Sequence, residues 1–314
     1  MAGAARSTPG FEAGGLMSRP PAGDLLLLGI AIVFISSSGP IIAAIAAPAL
    51  AIAFWRCFLG SALTAPWVLL RRRTEVGRLT RREVWLIVAS GLLLGAHFAT
   101  WIPSLRFTSV ASSTALVATQ PVWAALIARA RGATIPPQAW IGIGIALVGV
   151  LVLTGVDVAV DPEHLVGDAL ALVGAMLSAA YVTVAESARR TVSTPTVTTG
   201  LYAAAAVPPL ILLLALGQPL VGFSVQDWVL IALLTLGAQL LGHTLVTKVL
   251  ATTSATVVSL AILLEMPGAT VIAALALGQI PPWGVLPAAA LILLGIVLVI
   301  RSGSRTVPSE TSPI

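Results

Sequence analysis

The chain has 314 residues, 58% of them hydrophobic and 9% charged, with a mean hydropathy of +1.02. Soluble domains carry charge on about a quarter of their residues, so this composition excludes an ordinary globule and makes lipid the solvent. The net charge of +5 does not point to nucleic acid, because the arginines fall between apolar runs rather than along one soluble face.

Residues 1–23 are rich in Ala, Gly, Pro and Ser and carry no small-residue cleavage signal. They read as a disordered cytoplasmic tail, and residues 302–314 read likewise. Between them, apolar runs predict helical spans at 25–46, 49–70, 84–105, 109–130, 138–155, 166–186, 198–216, 228–250, 254–277 and 283–300. Runs of about 20 residues suffice to cross a hydrocarbon core of about 30 Å as helices. Segments such as Leu25 to Val33 and Leu291 to Ile300 are almost continuously apolar, whereas barrel strands would alternate. The expected fold is therefore an all-α integral membrane protein of ten transmembrane helices.

The first span contains Ser36-Ser37-Ser38-Gly39-Pro40, a hinge or a close crossing point. In the second, Arg56 sits about 12 Å along the helix at about 1.5 Å per residue, too deep for lipid. It either binds a substrate carboxylate or fixes packing, and packing is favoured. The adjacent Cys57 has no disulfide partner and reads as a small packing residue. The third span carries His97 and Trp101, the fourth Gln120-Pro121, the sixth Tyr181, the eighth His243 and the ninth Glu265 with Pro267. With the N-terminus in the cytoplasm, nearly all arginines fall inside and only Arg106 outside, which satisfies the rule that basic loops stay inside.

The two halves match at an offset of 144 to 146 residues. Gly23-Asp24 pairs with Gly167-Asp168, Pro136-Pro137 with Pro281-Pro282, and Gly149-Val150 with Gly295-Ile296. Five helices per half is an odd number, so the second half enters the membrane from the opposite side as an inverted-topology repeat. The units are residues 24–156 and 167–301, joined by an extracytoplasmic linker at 157–166. Inverted repeats characterise secondary transporters, whose site lies at the repeat interface near mid-depth.

On that offset His97 and His243 are pseudo-symmetric partners, as are Pro121 and Pro267. Imidazole exchanges protons near neutral pH, but it also serves as neutral interhelical glue. Each proline removes a backbone hydrogen bond and can kink its helix, and the freed carbonyls could join a polar site or mark only a bend. Glu265 is the strongest single signal, because an unpaired carboxylate in hydrocarbon costs several kcal/mol and must face the interior. It reads as a group that binds and releases a proton or meets a cationic substrate, against the bland alternative of a carboxyl locking helix packing. Trp101 and Tyr181 either line a cavity or simply pack. Three histidines in all, with His164 in a loop, leave too few convergent ligands for a metal, and no cofactor is implied.

His97-Phe98-Ala99-Thr100-Trp101, Ser104 to Ser113 and Gln120-Pro121 resemble the third and fourth helices of EamA-type members of the drug/metabolite transporter superfamily. Gly242-His243-Thr244, Ser254 to Ser259 and Glu265 to Ala269 resemble their second-half counterparts, Ala51 to Arg56 the second helix, and Gly167-Asp168 with Tyr181 the sixth. The resemblance covers residues 24 to 301. It implies a ten-helix carrier in the cell membrane that moves small polar, amino-acid-like metabolites or drugs by alternating access, often outward. Its partners would be the lipid bilayer, a small-molecule substrate and, with coupling, protons; homo-oligomerisation is compatible. Members commonly have a Glu where this chain has Ala133 and Gln279, so a coupling role for those carboxylates would be absent or moved. The alternatives are a channel or lipid scramblase and, further off, an intramembrane enzyme. The sequence contains no HExxH, GxSxG or Walker A motif.

Overall fold

The computed structural model describes residues 22–132, 134–242, 245–246, 249 and 261–303. His243, Ala133 and most of both tails lie outside the described residues. Within them, nine helices are long and apolar enough to cross a membrane. They are α1 (Gly23–Ala44), α2 (Ala49–Arg71), α3 (Arg81–Ser104), α4 (Val110–Ala130), α5 (Pro137–Val160), α6 (His164–Arg189), α7 (Thr194–Ala215), α8 (Val225–Gly242) and α10 (Val285–Ser302). The shorter apolar helix Glu265–Leu277, here α9, occupies the place of the ninth predicted span.

Local chemistry sets the ends. Thr80 caps α3 by accepting from the Glu83 amide at 3.2 Å, while the Glu83 carboxylate accepts from the Thr80 amide at 2.8 Å, a reciprocal capping box. Ser224 caps α8 by accepting from the Asp227 amide at 3.0 Å. Pro137 and Pro195 stand in the first turns of α5 and α7, where a missing N–H costs nothing. Gly278 stops α9 with φ +67°, a left-handed conformation that favours glycine.

The helix pairing reproduces a twofold relation between the halves. Three packed pairs, α2 with α7, α4 with α9 and α5 with α10, join equivalent helices; α3 against α6 has its mate in α8 against α1, and α4 against α6 in α9 against α1. Lipid tails are as apolar as leucine, so these contacts depend on close approach rather than on expulsion of water. Gly174 lets α6 lie against α3, since a Cβ there would come within 3.3 Å of Thr100 and Trp101. At the α5–α10 crossing Gly142 faces Gly295, and a Cβ on Gly295 would strike the Ala146 amide and the Gly142 carbonyl.

Among the described residues five spans are interrupted, one of them α7, which breaks at Ala206 just ahead of Pro208. α1 breaks at Ser37, whose hydroxyl donates to the Phe34 carbonyl at 2.7 Å, and Pro40 lies buried in the segment that follows. α4 breaks at 118–119 and α9 at 263–264, so helix resumes at Gln120 and at Glu265, just ahead of Pro121 and Pro267. In α8 the stretch Leu234–Gly242 is wound as a π-helix, a form concentrated at functional sites.

Candidate functional site

Arg56 lies in the first half of α2 and is 2% exposed. A charge so deep requires fixed partners, and two are supplied from the other repeat and the neighbouring helix. Its Nε donates to Gln239 Oε1 at 2.9 Å, and Gln239 Nε2 returns a bond to the Arg56 carbonyl at 3.1 Å. The guanidinium carbon stands 4.1 Å over the Phe98 ring of α3, a cation–π contact. Gly60, one turn further along α2, makes the Gln239 contact sterically possible, since a Cβ there would overlap the amide nitrogen. Among the described residues Arg56 Nη1 is buried without a hydrogen-bond partner.

That guanidinium is the electrostatic centre of a polar cluster. Its charge acts on Glu265 from α9, Tyr181 from α6 and Tyr202 from α7, and also on His97 from α3. Glu265 is half-buried in the first turn after the break in α9. The buried Ser36 hydroxyl at the α1 break, also without a partner among the described residues, packs against Gly268 one turn below Glu265. A cation and a carboxyl from opposite repeats thus lie within electrostatic range of each other near the convergence of α1, α8 and α9, with no ion pair between them among the described residues.

His97 is buried, and its Nδ1 lies 2.9 Å from the Gly174 carbonyl of α6. A carbonyl only accepts, so Nδ1 carries the proton and Nε2 is left as the second functional nitrogen. The ring stacks on Trp101 at 5.7 Å with 12° between planes. Trp101 Nε1 is buried without a partner among the described residues.

Arg56 therefore touches Gln239 and Phe98, while Glu265, Tyr181 and His97 lie within electrostatic range of it, with Trp101 stacked on His97. Gln120 is partly buried at the restart of α4, and no hydrogen bond among the described residues joins it to the Arg56 cluster. The fourth helix instead satisfies its break locally: Thr119 Oγ1 donates to the Leu116 carbonyl at 2.6 Å and accepts from Trp123 Nε1 at 3.1 Å.

Gln239 and Tyr202 are missing from the sequence-derived site. Tyr202 was accessible to sequence reasoning, because it lies 146 residues from Arg56, the repeat offset itself. Gln239 carried a weaker signal, a neutral amide in an apolar run. Also unforeseen is a polar pair at the ends of α5 and α6, where Asp157 and Asp168 are 2% and 1% exposed and lie side by side near Thr108 and Thr154. Among the described residues no cluster of His, Cys, Asp and Glu could hold a metal ion.

Two inverted five-helix halves enclosing a buried polar cluster between them define an integral membrane protein of the secondary-transporter architecture. The chain belongs to the EamA-like transporter family, which it matches over residues 23–155 and again over 165–301. It is thus a multi-pass membrane transporter of the drug/metabolite superfamily. A solved crystal structure has the same fold, with a TM-score of 0.60, 19% identity, and coverage of 91% of this chain and 99% of the other. No curated protein matches the chain in sequence.

Proposed function

We propose that the protein is a secondary carrier that exports a small polar, amino-acid-like metabolite by alternating access, with its substrate site at the Arg56–Glu265 cluster. The observation that carries this reading is the unpartnered donor edge of Arg56, buried within electrostatic range of a carboxyl from the opposite repeat. A guanidinium with a free Nη is suited to a carboxylate, which accepts in the plane of the fork. Glu265 complements it as the seat of an ammonium group or of a transported proton. His97 and Trp101 form the adjoining wall, and the interrupted α1, α4 and α9 supply the points at which the halves rock. The chain resides in the cell membrane with both termini in the cytoplasm, because the basic residues cluster on one face.

The test is uptake of a panel of radiolabelled amino acids into proteoliposomes across pH 5.5 to 8.5. The wild-type chain shows a pH-dependent flux for at least one of them, and Glu265→Gln, correctly folded by size exclusion, removes that dependence. An unchanged pH profile in the variant would exclude proton coupling through Glu265. Saturation and stimulation by substrate on the opposite side distinguish a carrier from a channel.

A further inference from the structure

The third helix of each repeat begins in the same way. Thr80 and Ser224 are the N-caps of α3 and α8, and Glu83 and Asp227 are the acids three residues on, so both pairs are related by an offset of 144 residues. Each acid also bonds back to its cap, Thr80 Oγ1 donating to Glu83 Oε2 at 2.8 Å and Ser224 Oγ to Asp227 Oδ2 at 2.9 Å. Inversion puts the two at opposite faces of the membrane: Glu83 at the face rich in arginine, Asp227 at the other.

Both acids do more than cap. Asp227 Oδ1 accepts from the Ala46 amide at 2.7 Å, holding the connection between α1 and α2. Glu83 and Thr191, the latter in the connection between α6 and α7, line one recess at that face. Ala46 and Thr191 are 145 residues apart, so the contacts are pseudo-symmetric, and each joins one repeat to the other. The same two connections are also tied elsewhere, the first within its own repeat and the second across the repeats. Arg106 Nη2 donates to the carbonyls of Ala47, at 2.9 Å, and of Ile45, and the charge of Asp227 acts on Arg106. At the opposite face Glu75 accepts from the Ser193 amide at 2.8 Å, the Ser193 hydroxyl at 2.6 Å and the Thr196 hydroxyl at 2.7 Å.

We propose that Glu83 and Asp227 are gate-positioning residues, a pseudo-symmetric pair of latches that each close one face by holding the first connection of the other repeat. This inference rests on the alternating-access reading above. In it, each half of the cycle breaks one latch and keeps the other. A helix cap alone gives neither acid a reason to reach across the repeat interface, and the Arg106 and Glu75 links fasten the same two connections independently.

The experiment places cysteines one turn inside each latch, at Ala43 and at its repeat equivalent Ser187, both partly buried, in a Cys57→Ala background. Labelling by a bulky, membrane-impermeant maleimide is followed in nanodiscs without substrate. Asp227→Ala should speed labelling at position 43 by about tenfold, the change expected from losing about 1.4 kcal/mol of closed-state stabilisation, and slow it at 187. The double variant Glu75→Ala/Glu83→Ala should do the reverse. Thr80→Ala and Ser224→Ala, which remove the caps and leave the acids, should keep both rates near wild type. Asp227→Asn, which keeps an acceptor for Ala46, should restore most of the closure and serves where the alanine variant folds poorly. Rates that move together at both reporters, that do not move at all, or that respond to loss of the caps as much as to loss of the acids, overturn the proposal. Because no substrate enters the measurement, a failed transport test at Glu265 leaves this result standing.

Discussion

The reciprocal Arg56–Gln239 bond makes a quantitative demand on stability. Gln239→Leu keeps the side-chain volume beside Gly60 but leaves Arg56 Nε, in a residue 2% exposed, with no acceptor. The charged bond is worth about 1.5–3 kcal/mol and the returning amide bond about 0.5–1.5 kcal/mol, while interhelical polar bonds in membranes average only about 0.6 kcal/mol because the unfolded chain also finds partners. The charged partner decides the outcome, since burial of an unpaired guanidinium is a cost of the folded state alone. The expected loss is about 2–4 kcal/mol. Arg56→Met in the same background removes the orphaned charge, so the double variant should be more stable than Gln239→Leu by about 1 kcal/mol or more. Both are measured by SDS-mediated unfolding from mixed micelles, followed by tryptophan fluorescence. A single variant within about 0.5 kcal/mol of wild type, or a double variant less stable than the single, refutes the assignment of Gln239 as the partner that makes a buried Arg56 tolerable.

Two further perturbations test other parts of the structure. Gly295→Val drives side-chain atoms into the Ala146 amide and Gly142 carbonyl and should destabilise by about 1–3 kcal/mol or more in the same unfolding assay, whereas Gly155→Ala, where a Cβ meets nothing within 4 Å, should be neutral or mildly stabilising. The Glu75 carboxyl is held below the usual carboxylate range, first by the Ser193 hydroxyl, then by the Thr196 hydroxyl and the Ser193 amide. A depressed folded-state value gives a contribution that is complete above the unfolded carboxylate pKa of about 4.3 and disappears as pH falls through the folded one. The unfolding midpoint of the wild-type chain should therefore fall between pH 5 and 3 more steeply than that of Glu75→Gln; parallel curves would remove Glu75 from the acid limb.

The spans were readable because a membrane imposes its thickness on the sequence, so a run of apolar residues is already a statement about structure. The repeat was readable for a related reason: inversion preserves spacing, and glycines and prolines keep their positions where helices must cross or break. The break before Pro121 and its equivalent before Pro267 follow from chemistry visible in the letters. The π-helical turn in α8 does not, because nothing in Leu234 to Gly242 forbids an ordinary α-helix. Gln239 and Arg56 are 183 residues apart, and only the packing of α8 against α2 makes them partners. Asp227 carries no sequence signal of its contact, because that contact is made to the Ala46 amide of a distant connection.

Pseudo-symmetry sharpens what the cluster can be. Equivalent positions of a perfect repeat would present two arginines or two glutamates across the axis, and like charges in low dielectric repel. Here the equivalent of Arg56 is Tyr202 and the equivalent of Glu265 is Thr119, each a neutral hydroxyl residue. The first repeat supplies the cation and the second the carboxyl, so the site has a polarity that the scaffold lacks. The polar groups are divided between the halves, with Arg56, Phe98 and His97 on one side and Glu265, Gln239, Tyr181 and Tyr202 on the other. On the proposed alternating-access reading, a dipolar site at the junction of two rocking halves would couple motion to binding, because separating the halves separates the charges. A substrate that bridges Arg56 and Glu265 can replace that attraction, whereas an uncharged isostere cannot, and the two should differ in whether they accelerate exchange between the two faces.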